Sequence, residues 1–215
     1  MSSKKKERRN PGHQRRSWIL VGLVALGCGA GAVWLVKRQA PPPPPKFAFA
    51  AYAGSESCRD CHKEAYDEWR KSNHGLAERL PSPAMDQPAF PAGKFQVTAL
   101  GPGKTNGTFA VERVIGNDPL RQFLVKFPGG RYQALEASFD PHSNEWFNVY
   151  GNENRQPGEW GHWTGRGMNW NNMCATCHNT RLLKNYDERT DSYRTTMAEM
   201  GVGCEACHGP MADHN

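Results

Sequence analysis

Hydrophobic and polar positions divide the chain into stretches of different period. Residues 18–36 form a run of 19 without a charge, close to the roughly 20 apolar residues that a helix needs to cross a bilayer. Seven Lys/Arg precede this run, and only Lys37 and Arg38 follow it directly. That asymmetry predicts a cytoplasmic N-terminus and an exported remainder. The alternatives are a cleaved signal peptide and a lipoprotein modified at Cys28. The run is long for the first, and against the second apolar residues continue past Cys28. Residues 41–45 are all proline, a stiff spacer of about 15 Å as polyproline II.

From residue 62 the period turns helical. His62, Tyr66, Trp69 and Asn73 share one face, with Ser57 as a cap before the turn and Gly75 as a C-cap after it. Residues 91–152 instead alternate as strands do. KFQVTAL, TFAVERVI, RQFLVKF, RYQALEASF and EWFNVY are separated by GPGKTNG, GNDP, PGG and DPHSN. They predict a meander of about five antiparallel strands, with hairpin turns at residues 127–131 and at Asn106-Gly107. Residues 153–173 are rich in Trp, Asn and Gly; Trp160, Trp163 and Trp170 either fill core or pack on a flat cofactor. The predicted divisions are a basic tail (1–17), an anchor (18–36), a Pro-rich linker (37–54), a first segment (55–90), a β insert (91–152) and a last segment (153–215).

Charge narrows the partners. The net charge of +6 comes from the N-terminal head: residues 1–40 hold nine Lys/Arg and one Glu, and the rest of the chain is at −2. The exported part therefore has no basic excess, and a nucleic-acid partner is not expected.

The chemistry lies in three copies of Cys-x-x-Cys-His, at Cys58/Cys61/His62, Cys174/Cys177/His178 and Cys204/Cys207/His208. Two thiols one helical turn apart can each bond one vinyl group of the same porphyrin, and the next His then lies under the iron. A zinc ribbon is the alternative, but it uses gaps of roughly 15–20 residues between its cysteine pairs; here 26 separate Cys177 from Cys204. Three covalent c-type haems are expected. They agree with the export segment, because covalent haem is attached outside the cytoplasm.

Other histidines are candidates for the opposite face of each iron. His74 lies twelve residues beyond His62, about 18 Å along a straight helix. That is too far for the same iron and suits a neighbouring one; the alternative is a solvated histidine at a helix end. His162, in GHWTG, is either a distal ligand or structural. His142, in the DPHSN turn, reads more as a turn residue than as a ligand.

The first motif with Tyr66, Trp69, Ser72 and His74, the stretch RVIGNDPLRQFLVKFPGGRYQALEASFD, and the motifs NWNNMCATCH and VGCEACHGP resemble the multihaem cytochromes c related to the tetrahaem carrier of ammonia oxidisers and the octahaem hydroxylamine oxidoreductases. The resemblance spans about residues 55–215 and is to a subgroup with a strand insert that often continues into tetratricopeptide repeats. It implies distal ligation by His74 and by His214, which follows Cys-His-Gly-Pro. It further implies that this chain is a piece of a longer protein, with more haem or repeat regions, or a minimal three-haem version.

The expected fold is α+β: a haem-wrapped, helix-and-loop cytochrome with an inserted β meander and one N-terminal transmembrane helix. The expected function is electron transfer between redox proteins at the outer face of the cytoplasmic membrane. Three candidate distal histidines suffice to close every iron, which points to a carrier more than to an enzyme. The alternative is a haem subunit that acts on small nitrogen or sulfur oxyanions.

Overall fold

The computed structural model describes residues 49–214. The predicted anchor, the proline spacer and Cys28 lie outside them, and among the described residues no helix is long and apolar enough to cross a membrane.

Helix α1 (Lys63–Trp69) begins where the period predicts and stops well short of His74. The Ser72 hydroxyl donates to the Trp69 carbonyl at 2.7 Å and accepts from the Gly75 amide at 3.2 Å. A side chain thus takes partners that a longer helix would use. Residues 70–76 form turns, so His74 sits on a turn rather than at the end of a straight helix. Ser57 caps no helix; its hydroxyl donates to the Gly54 carbonyl at 2.7 Å.

The strands predicted from alternation are β2 (Gln96–Leu100), β3 (Asn106–Ile115), β4 (Arg121–Phe127), β5 (Arg131–Asp140) and β6 (Glu145–Asn148). They pair antiparallel in sequence order. A short strand that alternation could not reveal, β1 (Glu78–Arg79), adds to β3 through Glu78↔Ile115 and Arg79↔Val114. Phe127 pairs with Arg131 across a turn in which Gly129 and Gly130 take φ of 72° and 68°, the left-handed region that glycine enters without strain. Asn106-Gly107 is not a turn. It lies in β3, and the chain reverses at Gly101–Thr105 instead. A Cβ on Gly107 would sit 3.0 Å from the Phe109 ring, so this glycine makes room for an aromatic side chain.

Between β1 and β2, helix α2 (Pro83–Asp86) lies in a stretch with four prolines, Pro81, Pro83, Pro88 and Pro91. Asp86 is fully buried; it accepts from the Ser82 amide and from both terminal nitrogens of Arg79, at 2.6 and 2.7 Å. Phe90, just beyond, packs into the core.

Both faces of the sheet are covered. Phe123, Val125, Leu135 and Phe139 face a cluster with Phe90 and Trp163. The alternate positions Leu124 and Ala134 face a second cluster with Met168, Trp170 and Ala175. Strand β4 is therefore apolar on successive residues, as a strand buried on both sides must be. Helix α3 (Trp170–Met173) and helix α4 (Ala175–His178) lie on the second face. Two-stranded ribbons follow, β7 (Asn179–Thr180) with β10 (Glu199–Met200) and β8 (Tyr186–Asp187) with β9 (Ser192–Tyr193). Helix α5 (Cys204–His208) comes last.

Candidate functional site

The three motifs share a local design. In each, the first cysteine is partly buried and the second exposed, and all six thiols are free. The His62 and His178 amides donate to the carbonyls of Cys58 and Cys174, at 2.8 and 3.2 Å. One helical turn thus joins first thiol to imidazole, which is the reach that a porphyrin held at both thiols over that imidazole requires. Among the described residues no three His, Cys, Asp or Glu side chains gather as a metal site, and a zinc ribbon would need such a cluster.

The first and third motifs meet although 142 residues lie between Cys61 and Cys204. Both open on one cavity of about 530 Å³, a volume in the range of cofactor pockets. Cys58 and His62 line one side, Cys204, Cys207 and His208 another, and Tyr66 and Trp69 supply aromatic wall. His74 and His214 also line it. The His62 and His214 rings have centroids 6.4 Å apart and planes 21° from parallel. A metal–imidazole bond is about 2 Å, and the ring adds a little over 1 Å on each side. Two imidazoles on opposite faces of one metal therefore need about 6.3 Å between centroids. The residues fit an iron held between them.

Backbone and carboxylate bonds fasten the two motifs together. The Ser55 hydroxyl accepts from the Cys204 amide and donates to Glu199, both at 2.8 Å. The Trp69 indole donates to the Val202 carbonyl at 2.8 Å, and the Val202 amide donates to the His74 carbonyl at 3.0 Å. The carboxylate of Glu205, only 3% exposed, accepts from the amides of Ala53, Gly54 and Met211. Sequence reading found none of these three side chains. Each is a single polar residue with no local pattern, and its partners are remote.

The second motif stands on the sheet. Ala175, between its cysteines, and Trp170, just before it, are fully buried against Leu124 and Ala134. The Tyr132 amide donates to Asn171 at 2.9 Å. Glu78, 1% exposed, accepts from Trp170, Asn179 and Arg113 at 2.8, 2.6 and 2.7 Å. His178 Nδ1 lies 2.7 Å from the Ala77 carbonyl. A carbonyl only accepts, so Nδ1 carries the proton and Nε2 keeps the lone pair that a metal needs. Burial, then the nearby Glu78 carboxylate, pushes the Cys174 thiol up to about 11. Burial is also the main cause that raises Cys58.

The other described histidines, His142 and His162, have partners outside the motifs. His162 is 4% exposed, with Nδ1 2.8 Å from the Thr164 hydroxyl and Nε2 4.0 Å from the Glu136 carboxylate. Burial lowers its pKa, against the pull of Glu136 and Glu159. These contacts are those of the structural alternative. His142 is exposed and pairs with Asp118 at 2.8 Å; that bond and charge raise its pKa. Trp163 and Trp170 are core, and Trp160 is exposed.

Residues 57–88 and 138–209 match the model of the family described as cytochrome c554 and c-prime. The unmatched interval between them holds β2–β4 and most of β5, so the sheet interrupts the matched segments. No curated protein matches the chain. Two solved structures are similar. The outer cell wall cytochrome OcwA shares 23% identity over 76% of this chain and 32% of its own, with a TM-score of 0.49. An undecahaem cytochrome from the S-layer of Carboxydothermus ferrireducens shares 23% identity over 84% of this chain and 23% of its own, with a TM-score of 0.51. The chain thus spans about a third and about a quarter of these two proteins. The likeness to the second structure is one of fold and extends over most of the chain.

Proposed function

We propose that this chain is an electron-transfer module carrying three covalent haems, at Cys58/Cys61, Cys174/Cys177 and Cys204/Cys207, with His62, His178 and His208 as proximal ligands. The observation that carries the reading is the cavity shared by the first and third motifs, with His62 and His214 at the spacing of two axial ligands. Bound haem supplies a one-electron iron couple. The chain's own residues hold it and tune it. The thiols fix each porphyrin by two bonds. Ala77 orients the His178 ring through Nδ1. His214 would be the second ligand beside His62, and His74 is the candidate to pair with His208, which lines the same cavity. Two occupied axial faces leave no position for substrate, which suits a carrier. Two motifs opening on one space give a short path between their haems.

The anchor belongs to this proposal. Residues 18–36 hold the module at the outer face of the cytoplasmic membrane and residues 41–45 space it, so electrons pass between membrane-side and exported redox proteins. Mass spectrometry after acid–acetone extraction should find three haems retained on a chain recovered from membranes. Porphyrin lost on extraction refutes covalent attachment, and a soluble form beginning after Pro45 refutes the anchor.

The second motif favours a second reading, an oxidoreductase site for small nitrogen or sulfur oxyanions. The candidate histidines left for it, His142 and His162, are bonded to Asp118 and Thr164. Electron paramagnetic resonance separates the two: a high-spin signal that binds carbon monoxide at the second haem supports the oxidoreductase, and three low-spin signals support the carrier.

A further inference from the structure

The variable position after the first cysteine of each motif is used in three different ways. In the first motif it is Arg59, an exposed side chain paired with Glu56 and Asp60. In the second it is Ala175, fully buried against the sheet. In the third it is Glu205, an acid that is also buried and whose oxygens accept from backbone amides. Haem attachment does not ask for an acid there. A carboxylate taken out of water costs free energy unless its oxygens are bonded, so the donors that Glu205 gathers show what it is for.

The donors come from both ends of the described chain. Ala53 donates to Oε1 at 2.9 Å and Gly54 to Oε2 at 2.7 Å; this strand of chain leads straight into Cys58. Met211 donates to Oε1 at 2.8 Å, three residues before His214. The two segments also bond to each other, the Ala212 amide donating to the Ala51 carbonyl at 3.0 Å. Gly209, at φ 82°, turns the chain out of α5 toward this bond. Glu205 is thus the common acceptor for the stretch that carries His62 and the stretch that carries His214.

We infer that Glu205 is a positioning residue for the first haem: it holds the His214 segment so that its imidazole stays over the iron bound by His62. The inference rests on the reading that His62 and His214 ligate one iron. The carboxylate touches neither ring and acts through the backbone of residues 53, 54 and 211.

The test uses the haem-loaded full chain and compares Glu205→Ala with His214→Ala by optical and electron paramagnetic resonance spectra. Both should turn the same haem from low-spin to high-spin and let it bind carbon monoxide, leaving the other two haems unchanged. Added imidazole should restore the low-spin signal in both. Glu205→Gln keeps one carbonyl acceptor, so it should convert a smaller fraction of that haem. General damage to the fold would disturb all three haems and resist imidazole. If Glu205→Ala does not mature, Glu205→Gln decides alone: a high-spin fraction rescued by imidazole supports the role, and its absence overturns it. A fully low-spin Glu205→Ala beside a high-spin His214→Ala overturns the inference and leaves the ligation standing. An unchanged His214→Ala spectrum overturns the ligation and the inference with it.

Discussion

Burial decides what a histidine does. His162 and His214 look alike in sequence, each in a polar stretch near an aromatic or a haem motif. His162 is sealed against Thr164 and Glu136, and its pKa falls below the usual value near 6.5. The unfolded chain then takes up its proton first as pH drops. Stability from the neutral ring is full above about pH 6.5 and is lost as pH falls from there through the lower folded value. The thermal midpoint should therefore drop between pH 7 and pH 5, and drop less in His162→Gln. An equal drop in both would assign the acid sensitivity elsewhere. The nine residues of the three motifs could be singled out in sequence because their spacing is local chemistry. Glu205, Ser55 and Glu199 were not, because each is tied to partners more than 140 residues away.

Elements show the same division. The five strands of the meander could be read from alternation, since a pleated strand repeats every second residue. The end of α1 could not, because the Ser72 hydroxyl bonds locally, donating to the Trp69 carbonyl and accepting from the Gly75 amide. Neither could the place of the Asn106-Gly107 pair, whose turn signal yields to the packing of Phe109. Nor does sequence tell which face of β4 meets which partner. The structure makes that specific. Phe123→Ala empties the face shared with Phe90 and Trp163, and Leu124→Ala the face under Trp170 and Ala175. Each should cost stability, about 3–5 and about 2–5 kcal/mol respectively. Only Leu124→Ala should also shift the spectrum of the second haem, because only that face supports its motif. Equal spectral effects would show that the sheet does not act as its platform.

Across the whole molecule, one contact sets an order of events. Glu205 and Ala53 are 152 residues apart in sequence, and the same number separates His62 from His214. A chain made at about 5–20 residues per second needs roughly 8–30 s to span that interval. On the proposed ligation, a first haem attached within that interval would precede its second histidine ligand. One side of its iron would then stay open to small molecules until the last stretch arrives. Refolding of the haem-loaded chain should repeat the sequence: strand ellipticity returns first, and the low-spin signal of the first haem returns last. That signal is in effect a timestamp, the spectroscopic mark of a molecule whose two ends have found each other.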